Sequence, residues 1–81
     1  MSAKLIHIGF GHYLDTDRIV VIAIPKSAPV KRSVQDARDK ELIIDLTDGR
    51  RTKSVIFTDT KYVVLSALEP VTISGRLADS V

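Results

Sequence analysis

Three stretches of the chain point to an α+β domain: a small antiparallel β-sheet of about five strands, one main helix and a possible short C-terminal helix. Residues 19–24 are an unbroken apolar run rich in β-branched side chains and closed by Pro25, which suits a strand covered on both faces. Val30, Val34 and Ala37 recur at four- and three-residue spacing behind Ser27 and Pro29, giving a helical stripe. Residues 42–47 and 52–58 are two β-rich stretches joined through Asp48 and Gly49, a hairpin signal because glycine accepts positive φ.

In chain order, residues 5–10 read as the first strand, and Gly9 and Gly11 permit a bulge or sharp turn before Tyr13 and Leu14. Asp15, Thr16 and Asp17 are turn formers. The apolar run follows. One helix covers one face of a sheet but hardly both, so this run predicts association with further copies of the chain. Ser27 can cap the helix, with Pro29 in the first turn, where its missing N–H does no harm. Lys31, Arg32, Gln35, Asp36, Arg38 and Asp39 line the outer face, and the helix ends near Lys40. The meander comes next, turning again at Asp59 and Thr60 into residues 62–67. A two-residue loop would set Ile44 opposite Lys53, so a longer loop or a bulge is expected around residues 49–51. Beyond Pro70, Val71 and Ile73 suit a strand, whereas Ile73 and Leu77 suit a helix weakened by Gly75. The helix is preferred.

At 81 residues the chain is expected to form one domain, residues 1–81, too small for a large private core. Its hydrophobic fraction of 44% still argues against disorder. Cysteine is absent, so neither disulfides nor thiolate metal sites add stability, and self-association is the remaining means. No signal peptide or membrane span is apparent, which points to the cytoplasm. His7 and His12 are a poor metal set without cysteine. Gly9-Phe10-Gly11 lacks the third glycine of a dinucleotide fingerprint, and serine nucleophile motifs are missing. No enzyme activity, cofactor, metal or small-molecule substrate is therefore expected.

Net charge is only +2, but Arg50, Arg51 and Lys53 crowd three cations into four positions beside the predicted turn. Guanidinium groups bind phosphate bidentately, and an exposed hairpin can carry them to a DNA backbone. Alternatively the arginines pair with Asp45 and Asp48 as an ordinary solvated turn; spacing leaves both readings open. Arg18 either extends a basic strip or neutralises Asp15 and Asp17. Lys31 and Arg32 sit near a helix start, where the helix dipole prefers anions, a modest sign that another role placed them.

The chain resembles the bacterial RemA family of extracellular matrix regulators. The resemblance rests on Ile8-Gly9-Phe10-Gly11, Arg18-Ile19, Ser27-Ala28-Pro29-Val30-Lys31-Arg32, Ala37-Arg38, Ile44-Asp45, Gly49-Arg50-Arg51-Thr52, and Leu65-Ser66-Ala67 followed by Pro70. It implies a DNA-binding activator of biofilm matrix genes with a LytTR-like fold, assembled as a ring-shaped homo-oligomer with duplex DNA along its outside. It further implies that Arg18, Arg50 and Arg51 contact phosphate and that Pro29 sets the helix start needed for assembly. Lys53, Lys31 and Arg32 are added as candidate DNA-binding residues from their charge and position. The chain departs from the family pattern at Asp48, often aromatic, at His12, usually asparagine, at Lys53, usually arginine, and loosely over residues 69–77. An acidic Asp48 would oppose a nearby phosphate.

Two functions of different class follow: a DNA-binding transcription regulator, or a structural ring that uses the same arginines to hold subunits together and binds no nucleic acid. RNA binding is a weaker third reading, because four aromatic residues hardly make a stacking platform.

Overall fold

The computed structural model describes residues 4–79. Strands β1 (Leu5–His7) and β2 (Tyr13–Asp15) form an antiparallel hairpin, and a 3-10 turn, Thr16–Arg18, leads into β3 (Ile19–Ala23). Helix α1 (Ala28–Asp39) is followed by β4 (Ile43–Asp45), β5 (Ser54–Thr58), β6 (Val63–Ser66) and α2 (Pro70–Asp79). β3 to β6 make a four-stranded sheet in the order β3-β5-β6-β4.

The expected antiparallel sheet and its hairpin at Asp48-Gly49 are both corrected. β4 does not pair with β5; it lies parallel to β6, with Ile43 opposite Val63, Ile44 opposite Val64 and Asp45 opposite Leu65. β6 in turn runs antiparallel to β5. The physical reason is the register conflict between Ile44 and Lys53. Inserting β6, whose four residues are all buried, gives Ile44 an apolar neighbour and puts the most buried strand inside the sheet. The turn itself exists: Asp48 and Gly49 both have positive φ, 54° and 80°, and the Arg50 N–H donates to the Thr47 carbonyl at 3.0 Å. It heads a crossover rather than a hairpin.

A second correction concerns coverage. Both faces of the sheet centre are packed. On one side α1 sets Ala37, Val30 and Val34 against Val55, Val63 and Leu65. On the other, the β1–β2 hairpin and α2 bring Ile6, Ile8 and Ile73 onto Ile56 and Val64. β3 is an edge strand rather than a doubly covered one, and Val20, Val21 and Ile24 stay exposed, Val20 at 63%. Exposed apolar side chains thus run along this border, while Leu5, Tyr13, Ile44, Tyr62 and Val71 are exposed elsewhere.

Local signals in the helices held in outline. Ser27 occupies the N-cap and Pro29 the first turn, but the Ser27 side chain makes no capping hydrogen bond; its carbonyl accepts from the Lys31 N–H at 2.9 Å. The tail after Pro70 is helical, as preferred. In the first hairpin, Gly9 has φ +108° and is buried against Leu68, so a side chain there would be strained and crowded.

Candidate nucleic-acid interface

The basic loop, residues 46–53, hangs from β6 at both ends: the Leu46 N–H donates to the Leu65 carbonyl and the Lys53 N–H to the Ser66 carbonyl, each at 2.9 Å. Inside the loop, Thr47 is buried, 2% exposed. It donates to the Asp45 carboxylate through its hydroxyl at 2.6 Å and its N–H at 2.9 Å. Those two bonds, the hydroxyl's the larger, hold the Asp45 carboxyl below its ordinary pKa, with a smaller pull from Arg38 and opposition from burial. Because the folded-state pKa is depressed, the stabilisation is present above the unfolded value and is lost as pH falls through the folded one. Asp45→Asn should therefore flatten the acid limb of the stability profile below about pH 4. At neutral pH it should cost about 0.5 kcal/mol, small because the carboxylate is exposed. Urea unfolding across that range checks this, and an unchanged acid limb would remove Asp45 as its source.

Two contacts tie this loop to the β1–β2 hairpin. His12 Nε2 lies 3.0 Å from Asp48 Oδ1, and the Arg50 guanidinium carbon lies 3.8 Å from the centroid of the Phe10 ring. Asp48 and His12, two departures from the family pattern, meet each other.

The carboxylates expected to neutralise the arginines are thus engaged elsewhere, Asp45 by Thr47 and Asp48 by His12. Arg50, Arg51 and Lys53 are exposed, and none of the salt bridges among the described residues involves them. Arg51 and Lys53 share a cleft of about 370 Å³ with Ile24, Pro25, Lys26, Thr52 and Glu69. The neighbouring cleft, about 380 Å³ between α1 and the sheet, takes in Pro25, Thr52, Lys31, Gln35 and Arg38. These two clefts gather Arg51, Lys53, Lys26 and Lys31 at one end of the sheet, and Arg50, in the same loop, lies over the Phe10 ring.

Two other expected residues lie elsewhere. Arg18 adjoins the far end of β5, where Ile19 faces Thr58, about 17 Å from Lys53 at ~3.3 Å per strand residue. It meets Asp59 at 3.4 Å, with both side chains well exposed, a pair of little energetic weight. Arg32 lines the opposite flank of α1 with Asp36, Lys40 and Lys61. Pro29 borders that flank in the first turn of α1.

Sequence reading missed Lys26, Arg38 and Phe10. Pairing of Ala23 with Val55 brings Lys26 out of β3 where Arg51 and Lys53 enter β5, so knowledge of that pairing would have found Lys26. Arg38 lies seven residues after Lys31, on the same side of the helix. Phe10 was read as the end of the first strand and as part of the Ile8-Gly9-Phe10-Gly11 motif, without a role of its own.

Among the described residues no group of three or more His, Cys, Asp or Glu is placed to hold a metal ion, and no helix is long and apolar enough to cross a membrane. Residues 5–77 match the family described as RemA-like, extracellular matrix regulatory protein A-like. A Dehalococcoides mccartyi protein named "Putative regulatory protein" is 52% identical over 80 residues, 99% of this chain and 83% of the relative. A Clostridium perfringens protein of the same designation is 53% identical over 78 residues, 96% of this chain and 88% of the relative. A match across nearly the whole length, at this identity and including the basic loop, settles descent: the chain belongs to the RemA-like family of regulatory proteins.

Proposed function

We propose that this protein is a cytoplasmic transcription regulator of the extracellular-matrix, biofilm-gene type, which binds duplex DNA along the outside of a ring-shaped homo-oligomer with a LytTR-like fold. The observation that carries this reading is the set of exposed cations at one end of the sheet, Arg50, Arg51 and Lys53, whose sequence neighbours Asp45 and Asp48 are engaged by Thr47 and His12. Lys26 and Lys31 extend the strip through the two adjoining clefts. Arg18, at the other end of the sheet, meets the same duplex where a neighbouring protomer presents that end; Arg32 plays a lesser, peripheral part.

Self-association is supported by the exposed apolar border of β3, where Val20, Val21 and Ile24 invite cover. One protomer offers few phosphate contacts, so affinity comes from many protomers acting together. α1 carries a single amide side chain, Gln35, on its polar face, and that amide donates to Asp39 at 2.9 Å. Base-edge readout is accordingly minor, and sequence preference comes from the shape and bendability of DNA.

Fluorescence anisotropy with a labelled duplex tests the reading. Affinity should fall linearly on a log–log plot against salt, with a slope of about −0.9 for each phosphate neutralised. Absence of binding at low salt would overturn the proposal. No cofactor, metal or small-molecule substrate enters this scheme.

A further inference from the structure

We propose, resting on that reading, that Phe10 is a positioning residue for DNA binding: its ring is the platform that holds the Arg50 guanidinium ready for a phosphate. Phe10 carries two costs that its own packing does not justify. Its backbone sits at φ +56°, between Gly9 at +108° and Gly11 at +83°, a region where a bulky side chain is rare. The residue also remains 41% exposed. Strain and exposure at one residue are the kind of local defect retained where a site needs it.

The return is the stack with Arg50. A guanidinium offers its flat face to an aromatic ring and keeps all its N–H donors in the plane, directed away from the ring. Phe10 therefore fixes Arg50 without consuming a donor that a phosphate would use. A long side chain already fixed loses less freedom on binding. The platform is itself anchored: Gly9 is buried against Leu68, the Gly11 N–H donates to His7 Nε2 at 3.1 Å, and the His12–Asp48 contact ties the two loops together a second time.

The test uses the full-length protein, a labelled duplex and four variants: Phe10→Leu, Phe10→Tyr, Arg50→Ala, and Phe10→Leu combined with Arg50→Ala. Phe10→Leu should weaken binding about three- to five-fold per contacting protomer with the salt slope of the parent, since no charge is lost. Phe10→Tyr should bind like the parent. In the Arg50→Ala background Phe10→Leu should change nothing further. Parent-like binding by Phe10→Leu, or an additional loss in the Arg50→Ala background, overturns the role of Phe10 while leaving the DNA reading intact. If Arg50→Ala alone has no effect, the DNA site itself is wrong. Should Phe10→Leu lose its assembly on size-exclusion chromatography, Phe10→Met decides: it fills the space without an aromatic face and leaves Arg50 intact, so weak binding by the assembled variant supports the platform and parent-like binding refutes it.

Discussion

Changing Arg50 and Arg51 together to alanine is expected to abolish retention of duplex DNA in a gel shift while leaving the fold and assembly intact. Each charge-assisted phosphate contact contributes about 1.5–3 kcal/mol, so two lost contacts correspond to about a hundred-fold weakening or more at a single protomer. Repetition around an assembly compounds the loss. The fold should tolerate the change because both side chains are exposed and enter no salt bridge; the melting temperature should stay within the few degrees that about 0.5 kcal/mol allows in a small domain. Size-exclusion chromatography separates the alternative: if the arginines hold subunits together, the double variant falls apart instead. Intact DNA retention would refute the site.

Placing a carboxylate on the exposed border of β3 should break the assembly. Val20→Asp combined with Val21→Asp introduces two charges where the isolated protomer already shows its side chains to solvent, so folding should survive. A subunit contact that covers those valines would have to bury the charges unpaired, which is strongly unfavourable. Light scattering after size exclusion should report a species of 8.9 kDa in place of a multiple of it. DNA affinity should then fall by about a hundred-fold or more, the share due to multivalency. Unchanged mass would exclude this border as the contact.

How far the sequence disclosed these features depends on the range over which each is decided. The helical stripe of Val30, Val34 and Ala37, the turn at Asp48-Gly49 and the helix after Pro70 are local, and each was legible from neighbouring residues. Pairing was not. β4 and β6 are separated in the chain by all of β5, and their parallel register is set by the advantage of burying Val63, Val64 and Leu65 centrally, a preference that no local pattern expresses. The cluster of Arg50, Arg51 and Lys53 was visible as composition, whereas the freedom of those cations was not, because it depends on Asp45 turning to Thr47 and on Asp48 reaching His12 across 36 residues. Position left Arg18 open between extending the same strip and neutralising Asp15 and Asp17, and the family resemblance implied a phosphate contact; the antiparallel pairing of β3 with β5 sends it to the other end of the sheet.

The suspension of the basic loop from β6 governs what a prematurely terminated chain can do. A translation product ending before Leu65 would contain Arg50, Arg51 and Lys53, yet it would lack the carbonyls of Leu65 and Ser66 that receive Leu46 and Lys53. Such fragments carry the charge without its shape, so under the proposed DNA-binding reading they would compete poorly with the intact protein.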